Sequence, residues 1–556
     1  MLTHTKRSRK RSSHTRAALA GAVALLAGST VSLALPSVCV PGFTTVIGST
    51  LAASADVDRW YSLELRGEHA GYRHVVQHTV AGVITTSITQ RVLLKRGEDL
   101  LELTTESSFV ETTAGKPVSM QSTQSIGAAP VTRRYVFSDA GVSVTTILGM
   151  GFEPRHETIP REALGGTWLT PAAAAAFVEA RLAAGATEFS LRAIDPDRGP
   201  VPVPQAFVVL GAAQASVPSG DPGVRKPVAG VEISIADQSL AGWPPERCRR
   251  LTDERGVPVE TDIIIGGFPF RARLSTEQAA TADTEPPQFA DMMIIQCEGV
   301  LERPRSLVAA RFEVSPPPQT GPAPGKSPGS FPAPMFPVGS VQAVERDDRG
   351  PIRVWVDVSR AEPAPPSDAG DSRYTDPSTL IDSADPEVMQ LSRRAVNGIG
   401  DRPAREQVEA MRLFVHHYVR PKSLGVGFAS ASETARTRTG DCTEQAMLLA
   451  AMIRTAGIPA RLVIGAVYAE SFAGRSNVFV LHMWTQALID AGQGPCWIDL
   501  DPAREAGSFD AAHIAVLHTA LEDTVQLRTA DRAVRALAGA RVRVLSPAAE
   551  DIVPGK

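Results

Sequence analysis

Arg438-Thr439-Gly440-Asp441-Cys442-Thr443-Glu444-Gln445-Ala446 places one cysteine just inside the start of a helix. Asp441 is a helix N-cap residue, and Glu444 stands three positions later, the spacing of a capping box. Ala446, Leu449, Ala450 and Ile453 follow on one helical face. Gly457 supplies a C-terminal stop, with Pro459 two residues on. Cys442 therefore falls in the first turn, where unpaired backbone N–H groups and the helix dipole favour negative charge. A thiol there ionises more readily, and the thiolate is the nucleophile. A lone cysteine in an apolar helix is usually a small buried hydrophobe. Cys442 instead sits between Asp441 and Thr443, off the apolar face.

A nucleophile needs a base, and the chain offers one downstream. Val478-Phe479-Val480-Leu481-His482-Met483-Trp484-Thr485-Gln486-Ala487 is rich in β-branched and aromatic residues and predicts a strand. After a short Gly-rich turn, Pro495-Cys496-Trp497-Ile498-Asp499-Leu500-Asp501-Pro502 predicts another. On it Trp497, Asp499 and Asp501 point one way, and Ile498 and Leu500 the other. Two adjacent strands bring His482 beside a carboxylate that accepts the second imidazole N–H and fixes the tautomer. His482 follows Cys442 by 40 positions (482 − 442), and Asp501 follows His482 by 19 (501 − 482).

These residues resemble the transglutaminase-like superfamily, a circularly rearranged relative of the papain fold. The matching pieces are Gly440 to Ala446, Gly457-Ile458-Pro459-Ala460-Arg461, His482-Met483-Trp484 and Trp497 to Pro502, in that order. The resemblance covers roughly residues 373–520 and implies Cys442 as nucleophile, His482 as general base and acid, and Asp501 as orienting carboxylate. The family's aspartate directly precedes the Pro of this strand, which selects Asp501; Asp499, on the same face, is the fallback. The family often has Thr after Asp-Pro, where this chain has Ala503.

The N-terminus reads as a targeting segment. Lys6, Arg7, Arg9, Lys10, Arg11 and Arg16 precede an uncharged run, Ala17 to Leu35, the layout of a secretory signal. Ala34 and Ala55 each close a small-x-small cleavage pattern. An uncleaved anchor over residues 17–35 is the alternative, and either way export is expected, to the periplasm, the cell surface or the medium. With 556 residues the chain is long enough for two or three domains, and a net charge of −4 argues against a nucleic-acid surface. Of five cysteines, Cys39 lies beside the export segment, Cys248 and Cys297 are a candidate pair in an oxidising compartment, and Cys496 reads as buried. No cysteine–histidine spacing suggests a zinc site, and there is no Asp-rich EF-hand loop.

The expected architecture is α+β: a papain-like transglutaminase core at the C-terminus preceded by a mainly-β, antiparallel N-terminal region. Alternating runs at Arg59–Leu65, Tyr72–Val80, Val83–Leu94, Leu100–Val110 and Tyr135–Ile147 predict an antiparallel domain over 56–165, following the 1–55 leader. Thr170-Pro171 opens an Ala-rich helix that Gly185 ends, within a second mainly-β region over 166–314. Residues 315–372 carry nine prolines between Pro316 and Pro337 and read as a linker with one strand, Ile352–Val358. The catalytic domain is expected over 373–530, opening with a helix after Asp385-Pro386 and a second one striped by Val408, Met411, Val415, Tyr418 and Val419. His416 and His417 beside that stripe read as surface or packing residues. Ala511 to Leu527 reads as a helix containing His513 and His518, and 531–556 as a tail with one strand at Val542–Leu545.

The chemistry implied is acyl transfer on a protein or peptide amide through a thioester, which requires no cofactor and no metal. Water resolving the thioester makes a peptidase or amidase, the reading favoured by the resemblance to exported members; an amine makes a crosslinking acyltransferase. A third reading is a non-catalytic surface-binding protein with a degenerate papain-like module.

Overall fold

The computed structural model describes residues 56–546, apart from short internal stretches of which 318–330 and 422–428 are the longest. The leader, Cys39 and most of the Pro-rich run lie outside the described residues. Residues 57–275 build one sheet of fourteen strands. Alternation does the work: in Val57–Leu65, Tyr61, Leu63 and Leu65 are buried while the residues between them are only partly so. The first eight strands, Val57–Leu65 through Arg155–Pro160, each pair with the next, and so do the last six, Glu188–Asp195 through Phe268–Ser275. Two-residue turns make this compact; Ala81 and Gly82 both adopt positive φ, 50° and 80°, between Glu68–Val80 and Val83–Arg96.

The two meanders meet where Val57–Leu65 pairs antiparallel with Phe268–Ser275, Trp60 opposite Ser275. The division expected at residue 165 thus falls inside one continuous sheet. The run expected over Tyr135–Ile147 is two strands, Ala129–Ser138 and Gly141–Ile147, hinged at Asp139-Ala140. The Ala-rich helix forms as expected, as Pro171–Ala183, with Gly185 at φ +73° beyond it. Its N-terminus is capped from afar. Glu111, on the Asp99–Thr112 strand, accepts from the Thr170 hydroxyl at 2.5 Å and from Ala172 N at 3.0 Å.

A second sheet of nine strands carries the C-terminal half. Its order is Gln342–Glu345, Ile352–Asp357, Ala309–Ser315, Arg541–Ser546, Ile294–Glu298, Arg475–Asp490, Ala460–Phe472 and His513–Thr519, with Pro495–Leu500 also paired to Arg475–Asp490. Four expectations change. The supposed linker, 315–372, supplies two strands of this sheet, and the supposed tail supplies a central one, Arg541–Ser546. Ile294–Glu298 and Ala309–Ser315 belong here too, and not with the first sheet. Residues 513–519 form a strand, not a helix; the helix is Thr524–Leu537. A short apolar run such as Ile514-Ala515-Val516-Leu517 has no periodicity to separate the two states, and here both faces are covered.

The helix Cys442–Thr455 packs against the Arg475–Asp490 strand, and Thr485 Oγ1 donates to the Ala446 carbonyl at 2.8 Å. The helices Pro386–Ala395, Ala404–Tyr418 and Ala431–Thr437 surround its other sides. Every residue from Cys442 to Arg454 is therefore buried, not only the expected face. Its ends follow the sequence closely. Asp441 Oδ1 accepts from Thr443 N and Glu444 Oε2 accepts from Asp441 N, each at 3.1 Å, completing the capping box. At the other end Gly457 N donates to Arg454 O and Ile458 N to Ile453 O, a Schellman closure around Gly457 at φ +75°.

Candidate active site

Three elements converge on the cysteine. Cys442 is the first helical residue and is 2 % exposed. His482 lies mid-strand in Arg475–Asp490, opposite Gly465 of Ala460–Phe472. Asp501 follows the last residue of Pro495–Leu500, whose pairing with Arg475–Asp490 sets Leu500 opposite Thr485. That register carries Asp501 back to His482: Nε2 donates to Asp501 Oδ2 at 3.0 Å, with both residues buried. The other ring nitrogen, Nδ1, is buried without a hydrogen-bond partner of good geometry, yet Cys442 stands near enough to contribute charge and hydrogen-bonding stabilisation to the ring.

The electrostatics follow from burial and charge. Burial opposes a cationic His482, but the Asp501 carboxylate, Cys442 and the bonds to both outweigh it and push the imidazole up to about 9. Burial likewise opposes an ionised Asp501, and the two histidines facing it overcome that penalty, holding the carboxyl well below its ordinary range. The geometry therefore suits an imidazolium between a carboxylate and a sulfur.

Asp499, the fallback, is engaged elsewhere. Its Oδ1 accepts from Trp484 Nε1 at 2.7 Å and Gln486 Nε2 at 2.8 Å, and its Oδ2 from Ser340 Oγ at 2.8 Å. Burial nonetheless raises its pKa above the usual carboxylate value. It lies away from the imidazole and ties the Gly339–Gln342 turn to the His482 strand.

Cys496 is buried, its Sγ 3.7 Å from Ile489 O. No disulfide joins Cys248 and Cys297, and burial with Glu298 beside it pushes Cys297 up to about 11. His482, Asp501 and His513 hold donor atoms within 4.8 Å of one another, the spacing of a metal site, but hydrogen bonds to the shared carboxylate already account for the cluster.

Residues 391–502 match the family model of the Transglutaminase-like superfamily, a span that contains Cys442, His482 and Asp501. The chain carries a transglutaminase-like domain. Solved structures similar to it include a "putative cysteine protease" from Cytophaga hutchinsonii, 17 % identical over 42 % of this chain and 86 % of that one, at a TM-score of 0.25. A "putative protease" from Parabacteroides distasonis is 11 % identical over 73 % of this chain and 68 % of that one, at a TM-score of 0.19. No curated protein matches the chain.

The transglutaminase-like domain holds its carboxylate with residues that the motifs do not mark. Arg412, 4 % exposed, donates from Nη1 to Asp501 O at 3.2 Å and Arg504 O at 2.6 Å. His416, expected to be a surface or packing residue, has Nδ1 3.0 Å from Pro502 O. Both lie on Ala404–Tyr418, and their i, i+4 spacing was the available signal. Asp501 Oδ1 accepts from Ala503 N at 2.9 Å. Its Oδ2 also faces His513 Nε2 at 3.4 Å, a histidine placed by a strand that the sequence reading took for a helix.

Proposed function

We propose that this chain is an exported cysteine enzyme that cleaves protein or peptide amide bonds, with Cys442, His482 and Asp501 as its catalytic triad. The bond from His482 Nε2 to Asp501 Oδ2, with a cysteine at a helix start close enough to act on the same imidazole, carries the reading. The Cys442 thiolate attacks the carbonyl carbon, and the carbonyl π electrons move to oxygen. The Cys442 backbone N–H is one of the first-turn donors that the helix leaves without an intrahelical partner, and it stabilises the oxyanion. Collapse of the intermediate breaks the C–N bond, His482 Nδ1–H passes its proton to the departing amine, and a thioester remains. Neutral His482 then takes a proton from water, whose oxygen attacks the thioester and releases the acid and the thiolate. Asp501 orients the ring through Nε2 and stabilises its cationic form.

Hydrolysis and crosslinking share these steps up to the thioester, and only the acceptor differs. Incubating the chain with a peptide library, with and without an added primary amine, separates them. New C-termini that vanish with Cys442→Ala support the peptidase; amine incorporation at glutamine side chains supports the transferase. Neither product, with Cys442 alkylated by iodoacetamide no faster than a free thiol, supports a binding module. Export is read from residues 6–35, and a reporter fused after residue 55 tests it by its appearance outside the cytoplasm. No helix among the described residues is long and apolar enough to cross a membrane.

A further inference from the structure

Asp501 is contacted by two histidines. His513 Nε2 lies 3.4 Å from the same Oδ2 that accepts from His482. The other nitrogen of His513, Nδ1, lies 2.9 Å from Asp510 Oδ1 and 3.1 Å from the Asp510 carbonyl. Asp510 in turn pairs with Arg504. Four ionisable side chains thus run inward from Arg504 to Asp501, and His513 is 1 % exposed at the centre of them.

The acceptors decide the proton count on His513. Both ring nitrogens face carboxylate oxygens, and a carboxylate offers only lone pairs. A neutral imidazole satisfies one side and presents a lone pair to the other. Only the doubly protonated ring donates both ways. Burial opposes the cation, and hydrogen bonds and charge from Asp501 and Asp510 overcome it, so the pKa of His513 is raised. The other ionisable groups around it are His482, with ring centroids 5.9 Å apart, and Arg305, which acts on both carboxylates from farther out. His518, on the same strand, is kept neutral by burial and by Arg461. Phe509 at 4.3 Å and Trp484 at 5.3 Å between ring centroids wall the ring in.

We infer that His513 is a positioning residue of this site, an imidazolium bridging Asp510 and Asp501 that aims the Asp501 carboxylate at His482 and keeps it ionised. The inference rests on the triad reading of Cys442, His482 and Asp501. Without the bridge, Asp501 takes up a proton more readily, supports the His482 cation less, and the Cys442 thiolate forms at higher pH.

The test needs no substrate. The rate of Cys442 alkylation by iodoacetamide is followed from pH 4 to 10 in the full chain, with the labelled peptide located by mass spectrometry. His513→Phe should move the acidic limb of the profile up by about one pH unit, the effect of losing one neighbouring charge. His513→Gln keeps a donor toward Asp501 without the charge, and should move it by less; Asp510→Asn should move it the same way. Asp501→Asn is the reference shift. If Asp501→Asn moves the limb and a folded His513→Phe does not, the inference fails and the triad stands. If His513→Phe does not fold, a His513→Gln profile that overlays the wild type overturns it instead. If no variant moves the limb, both readings fail together. A stoichiometric metal ion released from the purified chain and lost in His513→Gln also overturns it, because a ligating nitrogen carries no proton.

Discussion

Gly465 stands directly opposite His482 in the strand pair, and a Cβ built on it would lie 2.2 Å from the Ile514 carbonyl oxygen and 2.6 Å from the Trp484 ring. The indole is thereby free to lie across the strand and donate to Asp499. Glycine is needed here for space and not for its backbone freedom. Gly465→Ala should cost about 1–3 kcal/mol of stability, the usual penalty for overpacking a tight core. Thermal denaturation measures it, and an unchanged melting temperature would show that strand His513–Thr519 gives way easily.

The two aspartates of the Pro495–Leu500 region should separate cleanly by phenotype. Asp501→Asn leaves the packing intact but presents the wrong partner to His482 Nε2, so turnover should fall by roughly 10⁴-fold. Asp499→Ala strips the acceptor from buried Trp484 Nε1 and Gln486 Nε2 and should cost about 1–3 kcal/mol for each group left unsatisfied. Activity per folded molecule should survive it. Paired turnover and chemical-denaturation curves decide, and a stable but inactive Asp499→Ala would reverse the two roles.

Arg412 is expected to affect rate through geometry. Arg412→Met keeps much of the side-chain volume but withdraws the donors to Asp501 O and Arg504 O, leaving buried carbonyls unpaired. A loss of about 1–3 kcal/mol in stability should accompany a fall in kcat with KM nearly unchanged. A change confined to KM would place Arg412 at a substrate contact instead.

The helix start carries a separable contribution. Asp441→Ala removes the cap of Cys442–Thr455, which typically costs about 1 kcal/mol, and loosens the turn that presents the thiol. Slower alkylation of Cys442 at neutral pH, beyond what global unfolding explains, is the expected readout.

The pH response has a defined sign. The His482 pKa is raised from 6.5 to about 9 in the folded chain. The stabilisation from its protonated form is therefore fully present below pH 6.5 and lost as pH rises through about 9. The full difference is on the order of 3 kcal/mol. For Asp501 the shift is downward, so its contribution is present above the ordinary carboxylate range and lost only in strong acid. NMR titration of the His482 ring should find an apparent pKa near 9 that drops in Asp501→Asn; a ring titrating near 6.5 in the wild type would contradict the assignment.

Much of the site was readable because its cues are local. The capping box at Asp441 and Glu444, the stop at Gly457 and the alternation through Trp497-Ile498-Asp499 each depend on neighbours within a few residues. What failed was nonlocal or ambiguous in period. Ala460–Phe472 is buried on both faces over its first ten residues, so it has no alternation to read. His513 was hidden for a related reason: Ile514 to Leu517 suit either a helix or a strand, and the helical choice separated it from Asp501. The joining of Val57–Leu65 to Phe268–Ser275 is a pairing across two hundred residues, and no short window of sequence contains both partners.

The strand Arg541–Ser546 runs between Ala309–Ser315 and Ile294–Glu298, antiparallel to the first and parallel to the second. Until residues 541–546 are in place, those two neighbours each present an open ladder of amides and carbonyls. A chain emerging from its ribosome therefore cannot seal the sheet that bears His482 until residue 546 has been delivered. Completion of the reactive centre is thereby tied to the arrival of a strand that begins 59 residues after His482 (541 − 482), and fragments ending before residue 541 should be sticky and catalytically silent.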